Sequence, residues 1–401
     1  MESKEQIVDE LLTRSIFKIL PSKEEFKSAL LNRRLKIYIG ADATASSLHL
    51  GHATNFMILE KLRKLGHEII VLFGDFTARI GDPTEKESVR KALSKEQVES
   101  NIKGWRKQVG KVLDFKDKVN PAKILKNSAW LSKLTFEKII EISANFTAQQ
   151  MLERDMFEKR LADNQPIYFH EFFYPLMQGY DSVVMDVDVE MGGSDQIFNM
   201  LVGRQLQKKY NSRDKFVVAT TLLANPKTGK KLMSKSEGSY IALDDSPEDM
   251  FGKTMKLPDE VMMQVFVDCT FMTMVEIKEL EEKMKSGLNP RDVKLRLAEE
   301  IVTIYHGKVK ARAARKGFVG AFSEDKIPED VATIEVSKGS GLMQAIVPKI
   351  VVSNTDFRRL IAAGSIKNME SGQKVSDPLS TLSENATYKI GKHRFVKIVV
   401  K

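Results

Sequence analysis

Apolar residues in the first quarter of the chain recur first at strand spacing and then at helix spacing. Residues 34–40 predict a short strand that ends at a glycine, and residues 68–73 predict a second, buried strand. Between them, apolar side chains recur at helical spacing over residues 52–64. A strand, a helix and another strand in this order form a βαβ unit. The pattern therefore predicts an α/β fold with a parallel sheet.

The rest of the chain divides by pattern into further segments. Alternating residues 183–190 predict a strand before the glycine-rich turn 192–196, and residues 216–223 predict another strand. We expect domain 1–240 to contain the sheet, with a mostly helical, basic insertion at about 85–173. The remaining prediction is a helical domain 241–323, a polar linker 324–340, and a small α+β domain 341–401 with a helix at 355–363 and two strands joined near Gly391.

Composition narrows the class of protein. The chain has 401 residues, 42% of them hydrophobic, which is enough for two or three domains with sizeable cores. It has no apolar run of the roughly 20 residues that a membrane span needs, and its charged N-terminus does not resemble a signal peptide. Cys269 is the single cysteine, so an internal disulfide framework and a cysteine metal cluster are excluded. We expect a cytosolic protein.

Positive charge is concentrated at the C-terminal end. The net charge is +9, and the last 61 residues contain ten Lys and Arg against four Asp and Glu. This asymmetry indicates either a polyanionic partner for the tail or a basic surface that serves solubility.

The first candidate for chemistry is the segment Ser47-Leu-His-Leu-Gly-His52, at the start of the predicted helix. The free N–H groups and the dipole of a helix N-terminus favour an anion. Gly51 lacks a Cβ, so a base or ribose could pack against the backbone. His49 and His52 could donate hydrogen bonds to phosphate oxygens. Two ordinary surface histidines are the alternative interpretation.

A second candidate is the loop Leu232-Met-Ser-Lys-Ser236, preceded by Lys230 and Lys231. Lysines on a loop of small, polar residues suit phosphate charge that grows in a transition state. Without the first candidate segment, a solvated lysine turn would be the better interpretation of this loop. The sequence contains neither a Walker phosphate loop nor a G-x-G-x-x-G after the first strand.

Together, these two segments resemble the paired signatures of class I aminoacyl-tRNA synthetases. The family pattern of the second signature is Lys-Met-Ser-Lys-Ser, and this chain has Leu232 at its first position. Lys231 would supply that charge from one residue earlier. The resemblance implies a Rossmann-like catalytic domain that binds ATP. The residues it assigns to catalysis are Thr44, His49, His52, Lys231 and Lys235, and those it assigns to ATP are Gly40, Asp42, Gly51, Gly193, Asp195, Met233, Ser234 and Ser236.

Five collinear blocks narrow the resemblance to the tyrosyl-tRNA synthetase family. They are residues 38–52, Gly81-Asp82-Pro83, residues 120–124, Tyr174-x-x-x-Gln178-x-x-Asp181 and residues 192–196. The spacing of the fourth block places its three polar residues on one face of a helix.

The resemblance also implies how tyrosine is held. Asp82, Tyr174 and Gln178 would surround its ammonium group, and Gln196 would be a further substrate contact. Tyr38 and Asp181 would hydrogen-bond the phenol from opposite sides. Phenylalanine would leave such a pair unsatisfied, a discrimination for which this enzyme family is the standard example. Glu190 stands where many relatives have glutamine, so its contact is left open.

The tail resembles a small RNA-binding fold first named in a ribosomal protein. The matching segments are residues 356–367 and 388–395, in which Arg358, Arg359, Lys392 and Arg394 would contact RNA. The family resemblance implies L-tyrosine, ATP with Mg²⁺ and tRNA(Tyr) as partners. It also implies a homodimer whose interface lies at about 131–172. We expect no membrane association and no dedicated protein metal site.

Three other interpretations compete with this one. A tryptophanyl-tRNA synthetase shares the fold and the lysine loop, but the His-Leu-Gly-His form, Tyr38 and the tail argue against it. A synthetase-like RNA-binding protein without catalysis would be expected to lose His49, His52, Lys235 or Asp82, and all four are present. A nucleotidyltransferase for another acid would not need the phenol pair.

Overall fold

The computed structural model describes residues 3–82, 93–233, 240–323, 331–347, 349–391 and 394–401. It divides into two compact units, residues 1–311 and residues 312–401. The first unit contains a six-stranded sheet and the second a four-stranded sheet, each with its own hydrophobic core. The strands are β1 (Ile16–Leu20), β2 (Lys36–Ala41), β3 (Glu68–Phe73), β4 (Lys123–Lys126), β5 (Val189–Gly193), β6 (Phe216–Thr220), β7 (Ala332–Val336), β8 (Ile366–Asn368), β9 (Ala386–Ile390) and β10 (Arg394–Val400).

Seventeen helices accompany these strands in the described residues, and α15 contains the division between the two units. They are α1 (Lys4–Thr13), α2 (Lys23–Asn32), α3 (Leu50–Lys64), α4 (Lys95–Val109), α5 (Ser128–Leu131), α6 (Phe136–Ser143), α7 (Ala148–Leu152), α8 (Asp155–Ala162), α9 (Phe173–Met185), α10 (Ile197–Asn211), α11 (Pro247–Met255), α12 (Met262–Cys269), α13 (Met274–Lys285), α14 (Pro290–His306), α15 (Lys308–Ser323), α16 (Leu342–Ile346) and α17 (Asn354–Ala362).

The large sheet has the strand order β1-β6-β5-β2-β3-β4. All neighbouring strands are parallel except the edge strand β1, which is antiparallel to β6. Chain order reverses between β2 and β5, because β2 leads outward to β3 and β5 leads outward to β6. In sheets of this kind, ligands bind at the carboxyl ends of the strands beside such a reversal. The predicted α/β fold with a parallel sheet is confirmed.

Two predicted elements need correction. Residues 183–190 were expected to form a strand, but α9 continues to Met185 and β5 begins only at Val189. The β-branched Val183 belongs instead to a cluster with Val202 and Leu206 of α10, so helix packing overrides strand propensity. Within the predicted helical insertion, the structure places β4 as an additional strand of the sheet, parallel to β3.

The second unit also departs from expectation at its start. Part of the predicted linker 324–340 is the strand β7, which pairs in parallel with β10. Its central residue Ile334 is 6% exposed and belongs to the core of this unit. The alternation Ala-Thr-Ile-Glu-Val explains this, since one face of the strand is apolar. The predicted helix and the two strands near Gly391 are present as α17, β9 and β10.

In the part of the chain that the structure describes, no helix is long and apolar enough to cross a membrane.

Candidate functional site

A cavity of about 600 Å³ lies at the carboxyl edge of the large sheet, at the reversal between β2 and β5. Its walls come from the turns after β2 and β5, the first turn of α3, the inner face of α9 and the segment that precedes the lysine loop. The predicted site residues that line it are Gly40, Asp42, Thr44, His49, Gly51, His52, Asp82, Tyr174, Gln178, Asp181, Gly193, Asp195, Gln196, Lys231 and Met233.

The first signature forms the start of α3. His49 is the N-cap residue, and its Nδ1 accepts a hydrogen bond from the Gly51 N–H at 3.1 Å. The Nδ1 of His52 accepts the His49 N–H at 3.3 Å, so the two side chains complete a capping box. With Nδ1 accepting, a neutral imidazole has its proton on Nε2. Each ring therefore has a donor on the nitrogen opposite the backbone contact.

The segment after the lysine loop pairs with the first signature. Backbone hydrogen bonds join Leu50 N to Ile241 O at 3.1 Å and Leu243 N to Leu48 O at 2.9 Å. The Tyr240 ring meets the His49 imidazole edge-on, with centroids 5.4 Å apart. Two segments almost 200 positions apart in sequence are thereby attached at one edge of the cavity.

The start of the lysine loop, with the residue before it, also reaches the cavity. Lys231, Leu232 and Met233 line it, and Leu232 N donates to Leu223 O at 2.8 Å. Leu232 is thus a wall residue at the position where the family pattern has its first lysine. The predicted residues Ser234, Lys235 and Ser236 lie outside the described residues.

A continuous chain of hydrogen bonds connects the residues expected around the substrate ammonium. Gln196 Nε2 donates to Asp82 Oδ2 at 2.8 Å, and Asn199 Nδ2 donates to both Gln196 Oε1 and Gln178 Oε1 at 3.0 Å. Tyr174 lies beside this chain, and its hydroxyl donates to Asp42 Oδ2 at 3.0 Å. Tyr174, Gln178 and Asp181 share helix α9, as their spacing predicted.

Asp181 is held at the inner end of the cavity. Trp130 Nε1 donates to its Oδ1 at 2.7 Å, and Asn127 Nδ2 donates to its Oδ2 at 3.3 Å. Asp181 is 3% exposed, and burial raises the pKa of this carboxyl well above its usual value. Asp181 also lines the cavity, so its side-chain oxygens can accept a hydrogen bond from a phenol.

Tyr38 differs from the other predicted residues, because it does not line the cavity. Its side chain is completely buried against Ile70, Leu72 and Val187, and its hydroxyl is hydrogen-bonded to Ser182 Oγ at 2.9 Å. Gly40, two residues later on the same strand, does line the cavity. Of the two residues expected to contact the phenol, only Asp181 lines the cavity in this structure, because the Tyr38 side chain is buried against apolar residues.

Several residues at this site were missed by the sequence analysis. Asn127 donates to Thr77 Oγ1 at 3.0 Å, and Thr77 donates to Asp42 Oδ1 at 2.7 Å, which links the two sides of the cavity. Asn199 joins the glutamines, and Trp130 fixes Asp181. Only the position of Asn199, three residues after Gln196 on the following helix, could have indicated a shared role.

The predicted RNA-binding residues all belong to the second unit. Arg358 and Arg359 are exposed on α17, and Arg359 forms an ion pair with Asp356 at 2.6 Å. Arg394 is exposed at the start of β10, and its Nη1 donates to Ile350 O at 2.7 Å. Gly391 lies next to both Arg394 and Leu360 of α17, since a Cβ on this glycine would be within 4 Å of each side chain. Arg394 and the two arginines of α17 therefore come from adjoining elements. Lys392 lies outside the described residues.

Among the described residues, no group of three or more His, Cys, Asp or Glu side chains is arranged to hold a metal ion.

Residues 30–323 match the family model described as tRNA synthetases class I (W and Y). The chain is 40% identical to the tyrosine–tRNA ligase of Carboxydothermus hydrogenoformans over 99% of this chain and 98% of the relative. It is also 40% identical to the tyrosine–tRNA ligase of Photobacterium profundum over the full length of both.

Solved structures show the same fold at lower sequence identity. A C-terminally truncated mitochondrial tyrosyl-tRNA synthetase of Aspergillus nidulans has a TM-score of 0.67 at 23% identity, over 78% of this chain and 93% of that one. The tyrosyl-tRNA synthetase of Archaeoglobus fulgidus, solved with L-tyrosine, has a TM-score of 0.59 at 21% identity, over 78% of this chain and all of that one.

Proposed function

The chain belongs to the tyrosine–tRNA ligase family of class I tRNA synthetases, and from this premise we propose how its cavity joins tyrosine to tRNA(Tyr). In the first step, the tyrosine carboxylate attacks the α-phosphate of ATP in line, which gives tyrosyl-adenylate and pyrophosphate. In the second step, a terminal ribose hydroxyl of the tRNA takes the tyrosyl group and AMP leaves. The observation that carries the proposal is the attachment of both signature segments to one cavity that also contains Asp181 and the glutamine chain.

The ATP end of the cavity has the groups that this chemistry needs. The N-terminus of α3 presents backbone N–H groups and a positive dipole end towards phosphates. His49, His52 and Thr44 add donors, and Lys231 adds a positive charge. No protein nucleophile is required, so the rate would come from positioning and from stabilisation of the leaving pyrophosphate. Lys235 of the lysine loop is proposed to act with Lys231.

Mg²⁺ is proposed to arrive with ATP, held mainly by phosphate and water oxygens. It would neutralise charge on the phosphates, and the cavity residues would orient the nucleotide around it.

The inner end of the cavity is proposed to select tyrosine. Asp181 would accept the phenol hydrogen, and its two fixed donors, Trp130 and Asn127, prevent it from turning away. Asp82 would attract the ammonium group, to which Gln178 and Tyr174 present oxygen atoms. Tyr38 would contact the phenol only after its hydroxyl leaves Ser182 or shares its hydrogen bond. Phenylalanine has no hydroxyl to donate to Asp181, so it would exclude water from this buried carboxyl without replacing the hydrogen bond of the phenol, which is costly.

The tail is proposed to bind the tRNA. Arg358, Arg359 and Arg394 form an exposed cationic surface on adjoining elements, which suits RNA phosphates.

A second copy of the chain is the proposed occupant of an apolar groove in the insertion. The groove has a volume of about 520 Å³, and Phe136 and Phe169 on its walls are 77% and 76% exposed. Exposed aromatic side chains that line one groove are typical of a protein interface.

Phe136→Glu should convert a dimer into a monomer in sedimentation equilibrium. Phe17→Glu, which changes a phenylalanine that is 60% exposed and lies outside the groove, should not. A dimer that survives Phe136→Glu contradicts the proposal.

Amino-acid-dependent ATP–pyrophosphate exchange, run with each of the twenty amino acids, tests the function. Exchange with tyrosine alone is expected. Exchange with tryptophan would move the assignment to the other branch of the family. Folded protein that exchanges with none of them would contradict the catalytic proposal and would make Leu232 the first residue to restore to lysine.

A further inference from the structure

A buried ion pair lies at the wall of the cavity, and the proposed function does not use it. Glu190 of β5 lines the cavity and pairs with Lys215, the residue before β6; the side chains of Lys215 and Glu190 are 0% and 2% exposed. Lys215 Nζ also donates to Ser182 Oγ at 2.8 Å. Removing two charges from water is expensive, and a buried pair often adds little to stability compared with apolar residues. The pair therefore calls for a role other than stability.

Helix α10 is shaped to admit this pair. Gly203 faces it, and a Cβ at that position would collide with Lys215 Nζ and would lie 3.0 Å from Glu190 Oε2. An alanine there would displace one of the two charges.

Glu190 forms one end of the hydrogen-bond chain along the cavity. Gln178 Nε2 donates to Glu190 Oε1 at 2.9 Å. At the other end, Gln196 Nε2 donates to Asp82. A carboxylate can only accept, so each terminal carboxylate turns the NH₂ group of its glutamine towards itself. Both glutamine oxygens then point to the middle of the chain, where Asn199 Nδ2 supplies both of its hydrogens.

The orientation of Gln178 matters for the substrate. An ammonium group is only a donor, so it needs the oxygen of Gln178 and not the nitrogen. If the amide were reversed, its NH₂ group would face the ammonium and repel it. The oxygen accepts one hydrogen from Asn199 and has a second lone pair for the substrate.

We propose that Glu190, which is paired with the buried Lys215, is a positioning residue that fixes the Gln178 amide with its oxygen towards the ammonium group of the amino acid. This inference rests on the proposed tyrosine site and deepens it. It concerns recognition of the ammonium group, whereas Asp181 concerns the phenol. Asp181 on the phenol side is held by Trp130 and Asn127 and has no hydrogen bond to either member of the ion pair, so recognition of the phenol by Asp181 serves as an internal control.

The test compares the wild-type enzyme with Glu190→Gln/Lys215→Met, which removes both charges together and leaves no unpaired one. A glutamine at position 190 can donate or accept, so the Gln178 amide is no longer fixed. In tyrosine-dependent pyrophosphate exchange, the KM for tyrosine should rise at least tenfold, while the KM for ATP and kcat change less than threefold. Glu190→Gln alone is the second variant if the double variant does not fold, as judged by circular dichroism.

The inhibitor 3-(4-hydroxyphenyl)propanoate has the phenol and the carboxylate of tyrosine but no ammonium group. Its inhibition of the enzyme therefore separates recognition of the ammonium group from recognition of the rest of tyrosine. Its inhibition constant should stay within threefold of the wild-type value in the same variant. An unchanged KM for tyrosine, or an equal loss of affinity for both molecules, would overturn the proposal. Wild-type protein without tyrosine-dependent exchange would instead overturn the proposed function from which it starts.

Discussion

At the scale of single residues, burial changes the acid–base properties of one residue in the cavity and one outside it. Asp181 lines the cavity and is 3% exposed, whereas His67 lies outside it and is 1% exposed; burial raises the pKa of the Asp181 carboxyl and lowers the pKa of the His67 imidazole. Asp181 accepts hydrogen bonds from two side-chain donors, whereas His67 Nε2 has no hydrogen-bond partner within the part of the chain that the structure describes. The two residues therefore make separate predictions, one for substrate use and one for stability.

Asp181→Asn should weaken tyrosine use strongly. The asparagine side chain keeps the size of Asp181 but replaces one carboxyl oxygen by an NH₂ group, which cannot accept a hydrogen bond from the phenol. Leaving a buried polar group without its partner costs about 1–3 kcal/mol, so the KM for tyrosine in pyrophosphate exchange should rise about fivefold or more. Ser128→Ala, which removes a hydroxyl bonded to Asp75 outside the phenol site, is the matched control. A tyrosine dependence equal to wild type in Asp181→Asn would refute the phenol assignment.

His67 should make stability fall at acid pH. Burial, helped by the positive charges of Lys4 and Arg34, lowers its pKa from 6.5 to about 4. Between these values the unfolded chain binds a proton that the folded chain does not, so stability is complete above pH 6.5 and declines as pH falls towards 4. The full decline is about 3 kcal/mol.

The comparison for this prediction is His67→Gln, whose side-chain oxygen can still accept the Leu35 N–H that His67 Nδ1 accepts at 3.2 Å. Urea unfolding at pH 7 and pH 5 measures the free energy of unfolding for both proteins. The wild type should lose more stability than the variant between the two pH values. Equal losses would show that His67 is not responsible.

At the scale of elements, the start of α3 combines a structural and a chemical role. His49 caps the helix through Nδ1, and the helix places Gly51 and His52 at the cavity edge. Lys61, Arg63 and Lys64 lie in its last turn, where positive charge complements the helix dipole. The N-terminus of α3, at the cavity, is the positive end of the dipole and attracts an anion.

His49→Asn separates these two roles. Asparagine is a good N-cap residue, so the free energy of unfolding should change by less than about 1 kcal/mol. It lacks the Nε2 donor, and loss of one such donor from a site of developing negative charge lowers the rate about 100-fold or more. Thermal unfolding and the kcat of pyrophosphate exchange measure the two quantities. If kcat falls only as much as the loss of folded protein explains, His49 is a helix cap without a catalytic role.

At the scale of the whole molecule, adenylate chemistry and the proposed RNA surface belong to different compact units. The cavity lies in residues 1–311, and Arg358, Arg359 and Arg394 lie in residues 312–401. Each unit has its own sheet and core. The strand β7 belongs to the core of the second unit, so a clean truncation must remove it as well.

A chain that ends at Ser323 should retain adenylate formation and lose aminoacylation. It keeps the cavity and all of α15 but lacks the cationic surface that would neutralise RNA phosphates. Pyrophosphate exchange should stay within about threefold of wild type, whereas tyrosyl transfer to tRNA should fall at least about tenfold. Arg358→Ala/Arg359→Ala in the full chain should weaken transfer and reduce its salt dependence. Loss of exchange in the truncated chain would contradict this division.

Much of the fold and the outline of the site could be predicted from the sequence, because local patterns encode them. Helical spacing placed Tyr174, Gln178 and Asp181 on one helix, and the βαβ pattern placed His49 and His52 at a helix start on the ligand-binding edge of the sheet. The two signatures predicted a shared nucleotide site because each by itself suits phosphate.

Only the tertiary structure decided which residues face the cavity and which lie behind it. Three features depend on contacts between residues that are distant in sequence: the burial of Tyr38 against Ser182, the hydrogen bond from Asn199 to Gln178, and the Lys215–Glu190 ion pair. Likewise, the strand at residues 183–190 gave way to a longer α9 because packing against α10 outweighs local propensity. A sequence pattern specifies a face and a period, whereas burial and hydrogen-bond partners are set by what the fold brings to that face.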